Sequence, residues 1–446
     1  MKNPIGLLVA CGVLIVLGGL VWWTDKHPSK PETTTPASPK ILALGEDQIE
    51  GIRIAKAGSE AIRLAKKADK WVIAEPTAFD ADQDTVKSLV STVATFNGER
   101  LIDENPADLG TFGLKEPAME VEVTVKGGTV NKLQFGADTP TGTAAYVKLA
   151  SNPKVFTVLS ASKSGFEKTV TDLREKHLLT FNQDKLTSVT VTTKGTPFEF
   201  GRNAQNEWQI VKPGPYRADS LQVDDLVRKL KEAKMDLAAP AGDGDPKTAA
   251  KDFDGGATIA TISMRDNGMP QAITVRQAKD KTFYARSSVV EGTYKLSGDL
   301  GEGLKDKDIE SFRNKKLFDF GFSDPTKVEI DGKAYQKSAE KWSGPSGQVD
   351  APSVQSVIDK LRDLAASKFS DKASGTPAVT LVVTSGDKNK VEKVTVSKAG
   401  DSYSAQRDGE SAVYVLDGKT FDDLQKTIQG IKPYVAPKPA TPEKKK

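Results

Sequence analysis

Residues able to do chemistry are scarce in this chain of 446: two histidines, one cysteine and five tryptophans. A serine–histidine–aspartate arrangement needs an imidazole base. His27 lies in a Pro/Thr-rich stretch. His177 aligns with Lys316 in an internal copy of its segment, which marks a surface position rather than a catalyst. One cysteine, Cys11, excludes an internal disulfide, a thiolate zinc site and a Cys-ligated cluster. Asp80, Asp82 and Asp84 alternate as a calcium loop does, but the loop glycine and the late bidentate glutamate are missing. A second acidic group, Asp243, Asp245, Asp252 and Asp254, sits in a Gly-rich stretch and reads as a solvated connector. There is no GxxxxGK[ST] and no GxGxxG after a strand, so the phosphate cradle of a nucleotide site is absent. With 60 acidic residues, nothing selects a carboxylate pair for glycoside hydrolysis. The reading is therefore non-enzymatic, with no catalytic, cofactor-binding or metal-binding residue assigned.

The elements that would position any site come in three copies. Trp71, Trp208 and Trp342 lie 137 and 134 residues apart. The first two stand in similar frames, Lys70-Trp71-Val72-Ile73-Ala74-Glu75-Pro76 and Glu207-Trp208-Gln209-Ile210-Val211-Lys212-Pro213. Each reads as a strand ended by proline, which cannot donate to a ladder. An aspartate follows in each copy: Asp82, Asp219 and Asp350. Then comes an apolar stripe at i, i+3, i+4, i+7: Val86/Leu89/Val90/Val93, Val223/Leu226/Val227/Leu230 and Val354/Val357/Ile358/Leu361. That spacing is one helix face, and the aspartate ahead of it is an N-cap. In the copies Asp80 becomes Arg217 and Gln348, and Asp84 becomes Leu221 and Pro352. Only the capping position recurs.

Alternating runs surround these helices, as in Val121-Glu122-Val123-Thr124-Val125, Ile259 to Ile262 and Leu381 to Val383. Period two predicts strands with one wet face. Tyr146 and Phe156, Tyr284 and Tyr294, and Tyr403 and Tyr414 are read as equivalent pairs in a last hairpin. A short helix closes the unit, with Phe166 and Leu173 in copy one and Phe421 and Leu424 in copy three. The fold class is α+β: three tandem α/β repeats, each an antiparallel sheet packed with a helix, after one N-terminal transmembrane helix. The boundaries are 1–23 anchor, 24–40 Pro/Thr-rich tether, 41–181, 182–320 and 321–436 repeats, and 437–446 a disordered Lys-rich tail. The recurring indoles belong in cores. An exposed indole would instead be a platform for sugar rings.

Composition fixes the setting. Lysine and arginine number 63 against 60 acidic residues, for a net charge of +3, with none of the basic excess that a nucleic-acid groove needs. Pro4 to Trp23 is an uninterrupted apolar run with no charge between Lys2 and Asp25. As a helix it spans about 30 Å, the hydrocarbon thickness of a bilayer. Trp22 and Trp23 fall where an interfacial aromatic belt belongs. Leu8-Val9-Ala10-Cys11 imitates a lipoprotein cleavage site, but the stretch before it is too short for a signal and the apolar run continues beyond it. Lysine counting, Lys2 against Lys26, Lys30 and Lys40, does not place the body outside. A short leader before one span and a large following domain is the layout of a bacterial signal-anchor, and long domains translocate largely regardless of charge. The expectation is a single-pass inner-membrane protein with an extracytoplasmic body.

Several segments together resemble the bacterial domain-of-unknown-function family 4340. They are the Trp71–Pro76 frame with Asp82, the run Ala107-Asp108-Leu109-Gly110-Thr111-Phe112-Gly113-Leu114-Lys115-Glu116-Pro117, and Phe135-Gly136-Ala137-Asp138-Thr139-Pro140. Tyr146-Val147, Asp172-Leu173-Arg174, Trp208 and Ala218-Asp219 complete the pattern, best over residues 65–240. The third copy lacks the Gly-Leu-x-x-Pro segment. The resemblance implies a membrane-anchored protein without an assigned activity, encoded beside ABC-type transporters with gliding-like components. It implies no catalytic residue. The expected function is a binding or scaffold protein, an accessory of an ABC-type transport or gliding-like envelope complex. Its expected partners are the bilayer through residues 4–23 and a membrane or envelope protein, with no cofactor and no nucleic acid. The alternative is a module for cell-wall glycan or a small ligand, using the repeat tryptophans.

Overall fold

The alternating runs pair into sheets larger than their individual lengths suggest. A computed structural model describes residues 38–237 and 246–436. The apolar run 4–23, His27, most of the tether, Asp243, Asp245 and the tail lie outside the described residues. In the first copy nine strands are present: β1 (Ile49–Lys56), β2 (Ile62–Lys67), β3 (Lys70–Glu75), β4 (Phe79–Asp80), β5 (Arg100–Asp103), β6 (Met119–Val125), β7 (Val130–Asp138), β8 (Ala144–Leu149) and β9 (Val155–Leu159). They lie in the spatial order 4-3-2-1-6-7-8-9-5, every pairing antiparallel. The second and third copies repeat this nine-strand order. Residues up to Glu175 make one compact unit, and residues from Lys176 make another that holds the second and third sheets.

An equivalent helix packs on each sheet: α1 (Gln83–Ala94), α2 (Ser220–Glu232) and α3 (Ala351–Asp363). Their buried faces contain the twelve residues of the apolar stripes. Each such side chain contributes about 1.5–3 kcal/mol of gross burial energy. Asp82 accepts from Thr85 N at 2.8 Å, Asp219 from Leu221 N at 3.1 Å, and Asp350 from Ser353 N at 3.1 Å. All three are N-caps that satisfy free first-turn amides.

Each copy is closed by the same backbone contact. Asp82 N donates to Leu173 O, Asp219 N to Phe312 O and Asp350 N to Lys432 O, all at 2.8 Å. Each is also opened alike: Leu42 N bonds Phe96 O, Leu178 N bonds Ala233 O, and Leu317 N bonds Leu364 O. Leu178, Leu179 and Phe181 pack into the second core, and Leu317, Phe318 and Phe320 into the third.

Two details depart from the sequence reading. Phe166 is not on a helix: it lies between two short ones, Ser160–Ser164 and Val170–Leu173, and is fully buried against Phe96 and Phe135. The third copy instead ends in one long helix, α4 (Gly418–Gln429). Tyr403 is not the counterpart of Tyr146. Tyr146 pairs with Thr157 next to the Val147–Phe156 pair, whereas Ser404 pairs with Val415 next to the Ala405–Tyr414 pair. Ser404 is thus the equivalent residue. A one-residue offset changes sheet face, so Tyr403 is a core side chain against Phe421.

Candidate functional site

The three indoles are core residues in matching places. Trp71, Trp208 and Trp342 are 8%, 4% and 4% exposed. Gln83 brackets the Trp71 backbone, accepting from its N–H at 2.8 Å and donating to its carbonyl at 2.9 Å. Trp208 Nε1 donates to Asp224 at 2.9 Å, and the Arg202 guanidinium stacks 3.7 Å from the Trp208 ring centroid. None offers the open ring face that the indole-based glycan alternative requires.

The acidic groups also have structural employment. Asp80 lies in β4, Asp82 caps α1 and Asp84 sits in its first turn. The connector reading fails for Asp252 and Asp254, because both lie on a helix, Pro246–Gly255. Asp252 accepts from the Tyr284 hydroxyl at 3.2 Å, and Asp254 pairs with Arg286 at 3.0 Å. Burial and the Asp252 charge raise the Tyr284 pKa. His177 is half-buried, and its backbone bridges to Lys234. Among the described residues no group of three potential metal-ligating side chains converges.

The Ala107–Pro117 segment folds as a brace. Asp108 accepts from Gly110 N at 2.8 Å and caps a short turn, Leu109–Phe112, which ends at Gly113 with φ of 65°. Gly136 lets that turn approach the sheet: a Cβ there would stand 2.1 Å from Phe112 O. The Phe112 ring then meets Tyr146 edge-on, with centroids 5.0 Å apart.

Beside this brace the first copy holds a groove of about 770 Å³. Its floor is Ala144 and Tyr146 of β8, Thr157 of β9 and the edge strand β5, whose Leu101 is 36% exposed. One wall is the loop Thr139–Thr143. There three hydroxyls form a chain, Thr139 to Thr141 at 3.2 Å and Thr141 to Thr143 at 3.0 Å. Ser160 anchors the loop by donating to Gly142 O at 3.1 Å. The corresponding loop in the second copy is Ala278-Lys279-Asp280-Lys281-Thr282, and in the third it shrinks to Gly400-Asp401 between Ala399 and Ser402. The Thr157 position is Lys295 in copy two and Val415 in copy three, by strand register. No motif in the sequence marks this groove. Its one signal is the Thr-rich loop, which neither later copy reproduces.

A partly buried ionic cluster within the second unit is equally unmarked in the sequence. Arg217, at the position of Asp80 and Gln348, pairs with Asp319 and reaches Glu410 Oε1 at 3.1 Å. Arg407 binds the same Glu410 at 2.7 Å and Glu392 at 3.0 Å, and Glu392 accepts from Asp319 N at 3.0 Å. Tyr414 donates to Glu410 at 2.7 Å. Burial, more than Glu410, pushes the Tyr414 hydroxyl up to about 12, with Arg217 acting in the opposite direction. Every charge here has a protein partner, so the cluster is a clamp joining the second and third sheets.

The family model described as Domain of unknown function (DUF4340) matches residues 71–253 and, again, 208–381. The two matches begin at Trp71 and Trp208, the equivalent indoles, so the family pattern itself falls twice on the repeat. A search of curated proteins finds no match.

Proposed function

Since the chain belongs to the DUF4340 family, a domain of unknown function, we propose its role from its construction: a non-enzymatic binding and scaffold protein, held at a bacterial inner membrane by residues 4–23 with its body outside the cytoplasm. In this reading it serves as an accessory of an ABC-type transport or gliding-like envelope complex. The observation that carries the binding role is the first-copy groove. Tandem copies act as an internal control: a residue needed for the fold recurs, whereas a residue kept for a ligand need occur once. The caps, indoles and closing contacts recur. The groove's Thr139, Thr141 and Thr157 do not. The edge strand β5 and a rigid loop wall are features that partner surfaces use.

The apolar run supports the anchor, because a charge-free stretch of that length is unfavourable in water and matches the bilayer. Among the described residues no helix is long and apolar enough to cross a membrane, which leaves residues 4–23 as the segment to test. A C-terminal alkaline phosphatase fusion should be active and a C-terminal green fluorescent protein fusion dark; the reverse would place the body in the cytoplasm. A photocrosslinking residue at Leu101 in intact cells should trap a membrane or envelope protein that the same residue at Lys281 does not trap. Equal recovery from both positions would remove the groove from the proposal.

A further inference from the structure

We propose that the first-copy groove takes an uncharged, polyhydroxylated ligand, a short neutral oligosaccharide segment. This rests on reading the groove as the binding site. Thr157 is 4% exposed yet lines the groove. Its hydroxyl has no hydrogen-bond partner among the described residues and is not one of the enclosed unpaired side-chain atoms, so it opens to the groove. The group that would satisfy it must come from the groove side. Tyr146 is half-buried and also lines the groove. Its ring is fixed by Phe112, and its hydroxyl is without a partner among the described residues. Its counterpart Tyr284 is already bound to Asp252.

The wall supplies hydroxyl oxygens that can accept from a sugar's own hydroxyls, each Thr proton being already donated along the chain that ends at Ala144 O. Thr139, Thr141 and Thr143 stand in a fixed chain, and Thr139 also donates to Ala144 O at 3.1 Å. Ordering them in advance reduces the entropic cost of binding. The nearby Lys163 is already neutralised by Asp138 at 2.7 Å, and Lys154 pairs with Glu104 at 3.2 Å. The remaining charges, Glu99 and Arg100, are opposite in sign and exposed. The groove therefore selects neither an anion nor a cation. Leu101 and the Tyr146 ring give apolar patches for the C–H faces of sugar rings. The volume falls in the range of small-ligand sites. In the second copy the equivalent loop carries Lys279, Asp280 and Lys281, which would favour charge over this chemistry.

The test uses the full chain in a sugar-free zwitterionic detergent, titrated in a calorimeter with tri-N-acetylchitotriose and, separately, maltotriose. Saturable binding of at least one trisaccharide is expected. Thr157→Val and Tyr146→Phe should each weaken it by about five- to tenfold, the value of one net hydrogen bond, with thermal midpoints unchanged. Leu101→Arg, at an exposed position that folding does not need, should also weaken binding, and keeps the test decisive if Thr157→Val fails to fold. Binding that ignores all three substitutions would overturn the inference. So would no binding of either sugar. If Leu101 still crosslinks a protein in that case, the saccharide reading falls and the partner reading stands, with a peptide strand as occupant. If it does not, both fall.

Discussion

Arg217 of the second sheet donates from Nη2 to the Tyr414 hydroxyl of the third at 3.1 Å. The same guanidinium pairs with Asp319 and Glu410, and its side chain is 19% exposed. Removing the cation would leave Asp319 and Glu410 to Arg407 alone, which also pairs with the buried Glu392. Breaking one side of a buried pair costs several kcal/mol, and partial exposure reduces this. Arg217→Met should therefore destabilise the second unit by about 2–3 kcal/mol in urea unfolding. An unchanged midpoint would show that the clamp contributes nothing.

The Tyr414 hydroxyl yields a pH dependence. Its folded pKa is about 12, raised from the ordinary tyrosine value of 10.0 chiefly by burial. An acid whose folded pKa is raised holds its proton longer in the folded state. Its contribution is complete below pH 10 or so, the unfolded value, and is lost as pH rises from about 10 to about 12. Urea titrations of the wild type and Tyr414→Phe should differ in slope across that window and run parallel at pH 7 to 9. Parallel curves throughout would refute the assignment.

Asp82, Asp219 and Asp350 make the same cap on three helices. Replacing each with Ala should cost about 1 kcal/mol, by denaturant midpoints of the three single variants. One substitution costing several times the others would point to a second role at that site.

Gly136 and Gly375 solve one steric problem in two ways. A Cβ at Gly136 would stand 2.1 Å from Phe112 O, and one at Gly375, where φ is +90°, 2.1 Å from Lys398 O. Gly136→Ala should destabilise by about 1–3 kcal/mol, the range for forced overpacking, and displace the Phe112 brace from Tyr146. Near-ultraviolet circular dichroism of the tyrosine region would register that movement. Ala at Gly127, where no atom lies within 4 Å but φ is +86°, should cost only backbone strain and leave that spectrum unchanged.

Much of the fold is legible in residue order, because helix stripes, caps and strand alternation are set by neighbours within about seven positions. The twelve stripe residues, the three caps and the threefold recurrence of the indole frame all follow from residue type and local period. Register is less accessible. Spacing alone pairs Tyr403 with Tyr146, and one residue of offset puts it on the opposite face. The helical placement of Asp252 and Asp254 is likewise hidden by the Gly-rich sequence before them.

The sequence by itself determined that this protein is one α+β module written three times behind an apolar segment of membrane length, since those signals are local and periodic. Tertiary structure alone decided which side chains meet. It brought β5 beside β9 to make the groove, placed Thr157 in its lining, buried the indoles, and set Arg217 against Tyr414 nearly two hundred residues away. Such pairings depend on which face each strand turns toward the core, and that is settled by packing between distant segments rather than by any neighbour in the chain.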